Sequence, residues 1–130
     1  MNKRFSTFLL AILLSGAVIS CTDNDEKSNI RDCDVSTTAY TTKSDGTVKY
    51  TVPKIGNSEV TTITYQGANG QVTVNEPELP FEIAVNTKAG TSINVSAKGR
   101  TSSRIVVEYN FTGTEGGETQ QNTAECSNSN

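Results

Sequence analysis

Apolar and polar residues alternate along the chain from residue 34 onward, and a period of two predicts strands rather than helices. Val35, Thr37 and Ala39 alternate with polar neighbours, and Ser44-Asp45-Gly46 then reads as a turn. Val48, Tyr50 and Val52 share one face of a strand that Pro53 closes, and Gly56-Asn57 turns the chain again. Thr61, Ile63 and Tyr65 form the next face, with Val60 and Thr62 expected on the other. The Gly67 to Gly70 stretch predicts a hairpin into residues 71–75, where Val72 and Val74 face one way. Phe81, Ile83 and Val85 repeat the pattern, as do Ile93, Val95 and Ala97 after the Lys88-Ala89-Gly90 turn. Gly99 to Ser102 reverses the chain into the longest alternation, Ile105, Val107, Tyr109 and Phe111, with Val106 opposite. A last short strand is expected near Thr119 to Glu125.

Seven or eight short strands with turns about every 10 residues are the pattern of an all-β chain, a small antiparallel immunoglobulin-like β-sandwich. A small barrel is the alternative. The inward set is expected to be Val48, Tyr50, Val52, Ile63, Tyr65, Val72, Val74, Phe81, Ile83, Val85, Ile93, Val95, Ile105, Val107, Tyr109 and Phe111. Thr and Val suit such strands, because branching at Cβ restricts the first side-chain torsion.

The beginning of the chain obeys a different pattern. Lys3 and Arg4 precede an apolar run from Phe8 to Ile19, broken only by Ser15 and Gly16. The run is short for a transmembrane span, which needs about 20 apolar residues, and it fits the central region of a secretion signal. It ends in Val18-Ile19-Ser20-Cys21, which resembles the lipobox of bacterial lipoproteins. The resemblance implies cleavage after residue 20 and attachment of lipid to the Cys21 thiol. Acyl chains contribute about 0.8 kcal/mol per buried methylene, so several together make a lasting membrane anchor.

Residues 22–32 contain one aliphatic side chain and are expected to form a flexible, disordered tether over 21–32. Asp23-Asn24-Asp25-Glu26 resembles the acidic export signal of Bacteroides-type lipoproteins, which implies an outer-membrane protein facing the cell surface. A generic solvated tether is the alternative, with the domain then on the periplasmic face. The folded domain is expected over 33–126, followed by a disordered tail over 127–130.

Composition narrows the chemistry. The chain has 11 basic and 14 acidic residues and a formal charge of -3; without Lys3 and Arg4 the balance is 9 against 14, or -5. An acidic surface argues against nucleic acid, whose binding needs clustered Lys and Arg. The chain contains no His and no Trp. No His-based catalytic triad is possible, and the commonest metal ligand is missing. Glu76, Glu78 and Glu82 read as a solvated loop before a strand, and Lys98, Arg100 and Arg104 as a small basic spot. The expectation is therefore no enzyme, no catalytic residue, no cofactor and no metal.

With Cys21 consumed by lipid, Cys33 and Cys126 remain, one at each end of the domain and in an oxidising compartment. A bridge between them would close a loop of about 94 residues, worth up to about 4.5 kcal/mol. Two free thiols are the alternative.

A longer resemblance runs from Val48 to Cys126. Val48-Lys49-Tyr50-Thr51-Val52, Ile63-Thr64-Tyr65 leading to Gly70, Glu78-Leu79-Pro80-Phe81, Gly90 with Ile93, Val95 and Ala97, and Ile105-Val106-Val107-Glu108 occur in that order. This looks like the mycobacterial MmpS membrane-protein family, which has Leu-Pro-Trp where Leu79-Pro80-Phe81 stands here. It implies an immunoglobulin-like sandwich and an accessory role beside a lipid or siderophore exporter. That family is anchored by a transmembrane helix, whereas lipid is expected here. The sequence therefore favours a tethered, non-enzymatic binding or adhesion module with a protein or glycan ligand, and the transporter accessory is the second reading. The oligomeric state stays open.

Overall fold

The computed structural model describes residues 29–128. The expected signal peptide, most of the tether, and the lipid-bearing Cys21 lie outside the described residues, as do the last two residues of the expected tail.

The described chain is all-β, with every paired strand antiparallel. The strands are β1 (Arg31–Ser36), β2 (Tyr40–Thr41), β3 (Gly46–Val52), β4 (Glu59–Gly67), β5 (Gly70–Asn75), β6 (Phe81–Thr87), β7 (Ser92–Ile93), β8 (Val95–Thr101), β9 (Arg104–Gly113) and β10 (Thr119–Ser127). Two four-stranded sheets, β1-β8-β4-β5 and β10-β9-β3-β6, form a sandwich, and β2 pairs with β7 in a separate two-stranded ladder. Both sheets end in edge strands, so the layers do not close into a barrel. The first strand lies beside β8, whereas in the immunoglobulin order strands A and B are neighbours. The sandwich architecture is thus present with a strand order of its own.

Alternation builds the core as expected for the central strands. Val48, Tyr50 and Val52 of β3, Ile63 of β4, Val95 and Ala97 of β8, and Ile105, Val107, Tyr109 and Phe111 of β9 are buried between the sheets. Among the described residues no buried side-chain nitrogen or oxygen lacks a partner. The Tyr50 hydroxyl, for example, donates to the Gln66 carbonyl at 2.8 Å, and burial pushes its phenol above the ordinary range.

The two sheets of the sandwich hold eight strands, as expected, and β2 and β7 add a ladder too short to show alternation. Three expectations are corrected. Strand β1 begins at Arg31, so Arg31 and Asp32, expected in the tether, pair with Thr101 and Arg100; Ser127, expected in the tail, pairs with Arg104. Val60 is buried with Ile63 rather than facing away from it. The cause is a β-bulge: the register of β4 on β8 slips between Val60 and Thr62, and the extra residue turns Val60 inward. Gly99 opposes the bulge, and a Cβ there would lie 2.1 Å from the Glu59 carbonyl oxygen, so the close approach requires glycine. Finally, Val72 is 37% exposed and Val74, Phe81 and Ile83 are only partly buried. They sit on β5 and β6, the edges of their sheets, where the opposite layer covers them incompletely.

The registers also orient the molecule. Arg31 at the start of β1 pairs with Thr101, and Ser127 at the end of β10 pairs with Arg104. Both ends of the domain therefore lie beside the β8–β9 turn, where the Asn128 N–H donates to the Ser103 carbonyl at 2.9 Å. This is the terminal pole. The distal pole carries the β2–β3 connection, the β4–β5 hairpin, the 88–91 turn and the β9–β10 turn.

Candidate functional site

Cys33 on β1 and Cys126 on β10 are joined by a disulfide. These are edge strands of different sheets, so the bond fastens the two layers to each other along one long side, near the terminal pole. The two site cysteines within the described residues are thus brought together, and their role is structural.

The basic spot dissolves into pairs. Lys98 lies 3.9 Å from Asp34, Arg100 3.3 Å from Asp32 and Arg104 3.6 Å from Glu125. Each pair bridges neighbouring strands, and exposed pairs of this kind contribute little stability. Glu82 of the acidic loop region pairs with Lys49 at 3.1 Å. Among the described residues no group of three or more His, Cys, Asp or Glu could hold a metal ion.

The most organised polar cluster lies at the distal pole, around Glu118. This residue stands just before β10, while Tyr40 on β2 and the 43–45 turn before β3 face it across the pole. Its Oε1 accepts hydrogen bonds from the Tyr40 hydroxyl at 2.6 Å and the Lys43 N–H at 2.9 Å. Its Oε2 accepts from the Ser44 N–H at 2.9 Å and the Ser44 Oγ at 2.5 Å. Four donors on one carboxylate favour its charged form. The Ser44 hydroxyl first, then the Tyr40 hydroxyl and the Lys43 N–H, lower the Glu118 pKa to about 2. The same hydrogen bond to Glu118 raises the Tyr40 phenol.

Asp45 organises the adjoining turns. Its Oδ1 accepts from the Ala89 N–H at 2.8 Å, its Oδ2 lies 3.5 Å from the Lys88 ammonium, and its carbonyl accepts from Thr114 N–H and Oγ1 at 2.9 and 2.7 Å. The Ala89 N–H, then the Lys88 charge, hold its carboxyl below the ordinary value. Thr42 completes the lattice: its N–H donates to the Thr91 carbonyl at 2.9 Å and its carbonyl accepts from the Gly90 N–H at 2.7 Å. The 42–45, 88–91 and 114–118 segments of this pole are therefore tied to one another through side-chain and backbone hydrogen bonds.

Beside Glu118 lies an open groove of about 470 Å³, lined among others by Tyr40, Lys43, Ser44, Glu115 and Thr119. Its lining mixes hydroxyls, both signs of charge and one aromatic ring. Glu118 itself is a poor proton acceptor, since a carboxylate with a pKa of about 2 holds its proton too weakly to act as a general base near neutrality. What the groove offers is a rigid polar surface.

No protein-family model matches the chain, and neither a curated protein nor a solved structure is significantly similar to it.

Sequence reasoning found the turn at Ser44-Asp45-Gly46 but missed the roles of Tyr40, Ser44 and Glu118. The partners of Glu118 stand 74 to 78 positions away in sequence, and no local pattern connects them.

Proposed function

We propose that the chain is a lipid-anchored outer-membrane protein whose sandwich is a non-enzymatic binding module facing away from the cell. The observation that carries this reading is the polarity of the domain. Both of its ends lie at the terminal pole, and the ordered groove beside Glu118 lies at the other. With Cys21 lipidated, residues 22–30 form the connection to the membrane, and nine extended residues reach about 30 Å. Such a connection leaves the distal pole outermost, where loops held on a rigid scaffold meet ligands. The hydroxyl-rich, mixed-charge lining suits a polar ligand, a glycan or a protein surface, over an apolar small molecule.

The test combines address and binding. On intact cells, added protease should remove the wild-type domain, and Cys21→Ala should abolish both palmitate incorporation and membrane association. A glycan array probed with the wild-type chain and with Lys43→Glu should show signals that the substitution loses. Protection of the domain on intact cells would overturn the outward-facing reading in favour of a periplasmic accessory, the role that the MmpS-like pattern implies. Signals on the array unaffected by Lys43→Glu would move the ligand away from the distal groove.

A further inference from the structure

The four edge strands differ in charge. β1 carries Arg31, Asp32 and Asp34, β6 carries Glu82, and β10 carries Glu125; β5, Gly70 to Asn75, carries no charged residue. Charged side chains along an edge discourage another strand from adding to it, and β5 lacks that protection.

The direction of its backbone groups follows from the ladder with β4. Just past the strand, the Glu76 N–H donates to the Thr61 carbonyl at 2.9 Å, so this position is bonded toward β4. Hydrogen-bonded and non-bonded positions alternate in an antiparallel pair. With Ile63 opposite Val74 and Tyr65 opposite Val72, the two valines also turn their backbone groups toward β4. Gln71, Thr73 and Asn75 turn theirs outward. The side chains divide in the same way: Val72 and Val74 lie on the core-facing side, Val72 37% exposed, and the three polar residues lie on the other.

A strand that fits this edge must be uncharged, present donors and acceptors at alternate positions, and bring apolar side chains opposite Val72 and Val74. β5 itself meets each condition. We propose that β5 is a self-pairing edge, through which two copies of the chain join antiparallel with Thr73 opposite Thr73, Val72 opposite Val74 and Gln71 opposite Asn75. In this register all three outward-facing residues bond to the partner copy. The valines occupy a non-bonded pair, where side chains approach most closely. Gly70 falls opposite Glu76, where the chain leaves the strand with a φ of 50°, and adds no side chain to that crowded place. Two sheets would merge into one continuous eight-stranded layer about a two-fold axis. The contact is short and sits at the low end of interface size, so pairing depends on concentration. The edge lies on the side away from the disulfide and leaves the distal groove open, so pairing is separable from ligand binding.

The experiment uses the full chain in the cells that make it. Thr73→Cys places two thiols across the two-fold axis, and a short bifunctional maleimide should yield a covalent dimer on a reducing gel. Asn86→Cys, exposed on β6, the edge strand of the other sheet on the same side, should remain monomeric. Adding Gln71→Lys and Asn75→Lys to Thr73→Cys sets lysine against lysine and should lower the dimer yield several-fold. Replacing the second change with Asn75→Glu sets lysine against glutamate and should restore it, which separates loss of pairing from loss of fold. A Thr73→Cys chain whose new thiol reacts with a monofunctional maleimide but gives no dimer would overturn the proposal. So would a dimer indifferent to these charges, or a crosslink to a different polypeptide.

Discussion

The two long sides of the sandwich are closed by different physics. On one side β1 and β10 meet, and they are fastened near both poles. At the terminal pole the Cys33–Cys126 bond joins them, reinforced by the Arg31 guanidinium donating to the Ser127 carbonyl at 3.1 Å. Midway, the Thr38 N–H donates to Asn122 Oδ1 at 3.0 Å. At the distal pole Glu118 holds the segment that follows β1. On the other side lie the edge strands β5 and β6, with no disulfide between them among the described residues. There Tyr65 lies between Tyr50 and Phe81, with ring centroids 5.2 and 6.0 Å apart, and Val74, Leu79 and Ile83 pack partly buried beside them. The fastened side has polar strands that could not hold the layers together by burial, as the Thr-Gln-Gln-Asn-Thr sequence that opens β10 shows. The open side has apolar strands that can.

The comparison predicts what each side will not survive. Removing the bond with Cys33→Ala and Cys126→Ala should cause the largest loss. Cross-links over 93 residues restrict the unfolded chain strongly, so stability should fall by about 4 kcal/mol. Urea denaturation would measure it, with a lower midpoint and a steeper slope, because the unfolded chain without its cross-link exposes more surface. Reductant should have the same effect on the wild-type chain and none on the double variant. On the open side, Phe81→Ala removes a half-buried ring and should cost about 2 kcal/mol, with no change in reductant sensitivity. If the two losses add, the sides are independent; a deficit in the combined variant would show them coupled through the core.

Between these sides stands Gly99, paired with Cys33 on one strand and with Val60 on the other. Gly99→Ala should cost about 2 kcal/mol, since the bulge leaves no room for a methyl group. The same denaturation experiment checks it, and Gly117→Ala, in open space, should be nearly silent.

These residues also show what can be read in a sequence of this kind. The central strands β3 and β9 alternate without interruption and are buried on one face only, so their pattern is visible. The bulge at Val60 is invisible, because alternation assumes one residue per step and a bulge supplies two. Val72 obeys the alternation but not the burial, since inclusion in the core depends on which strand lies opposite. Cys33 and Cys126 were legible because cysteine carries its own chemistry and few were left to pair. Glu118 was not: a carboxylate in a Gly-rich turn resembles any solvated residue until the fold brings Tyr40 and Ser44 to it.

The smallest expected effect distinguishes the two fastenings of the closed side from each other. Glu118 has a pKa lowered from 4.5 to about 2 by its hydrogen bonds, so its charged form is favoured in the folded chain. A carboxylate of this kind contributes fully above its unfolded value and progressively less as pH falls from about 4.5 toward 2. Asp45, lowered by Ala89 and Lys88, acts in the same direction. Stability of the wild-type chain should therefore decline over this acid range while the disulfide stays intact. Glu118→Gln preserves the shape of the side chain but carries no charge, so it should flatten part of that decline and leave reductant sensitivity unchanged. Denaturation midpoints at a series of pH values, with and without reductant, read both responses on one protein. An acid profile identical in Glu118→Gln and wild type would mean that the hydrogen bonds from Tyr40, Lys43 and Ser44 do not hold the distal pole. The disulfide would then fasten that side without help from Glu118.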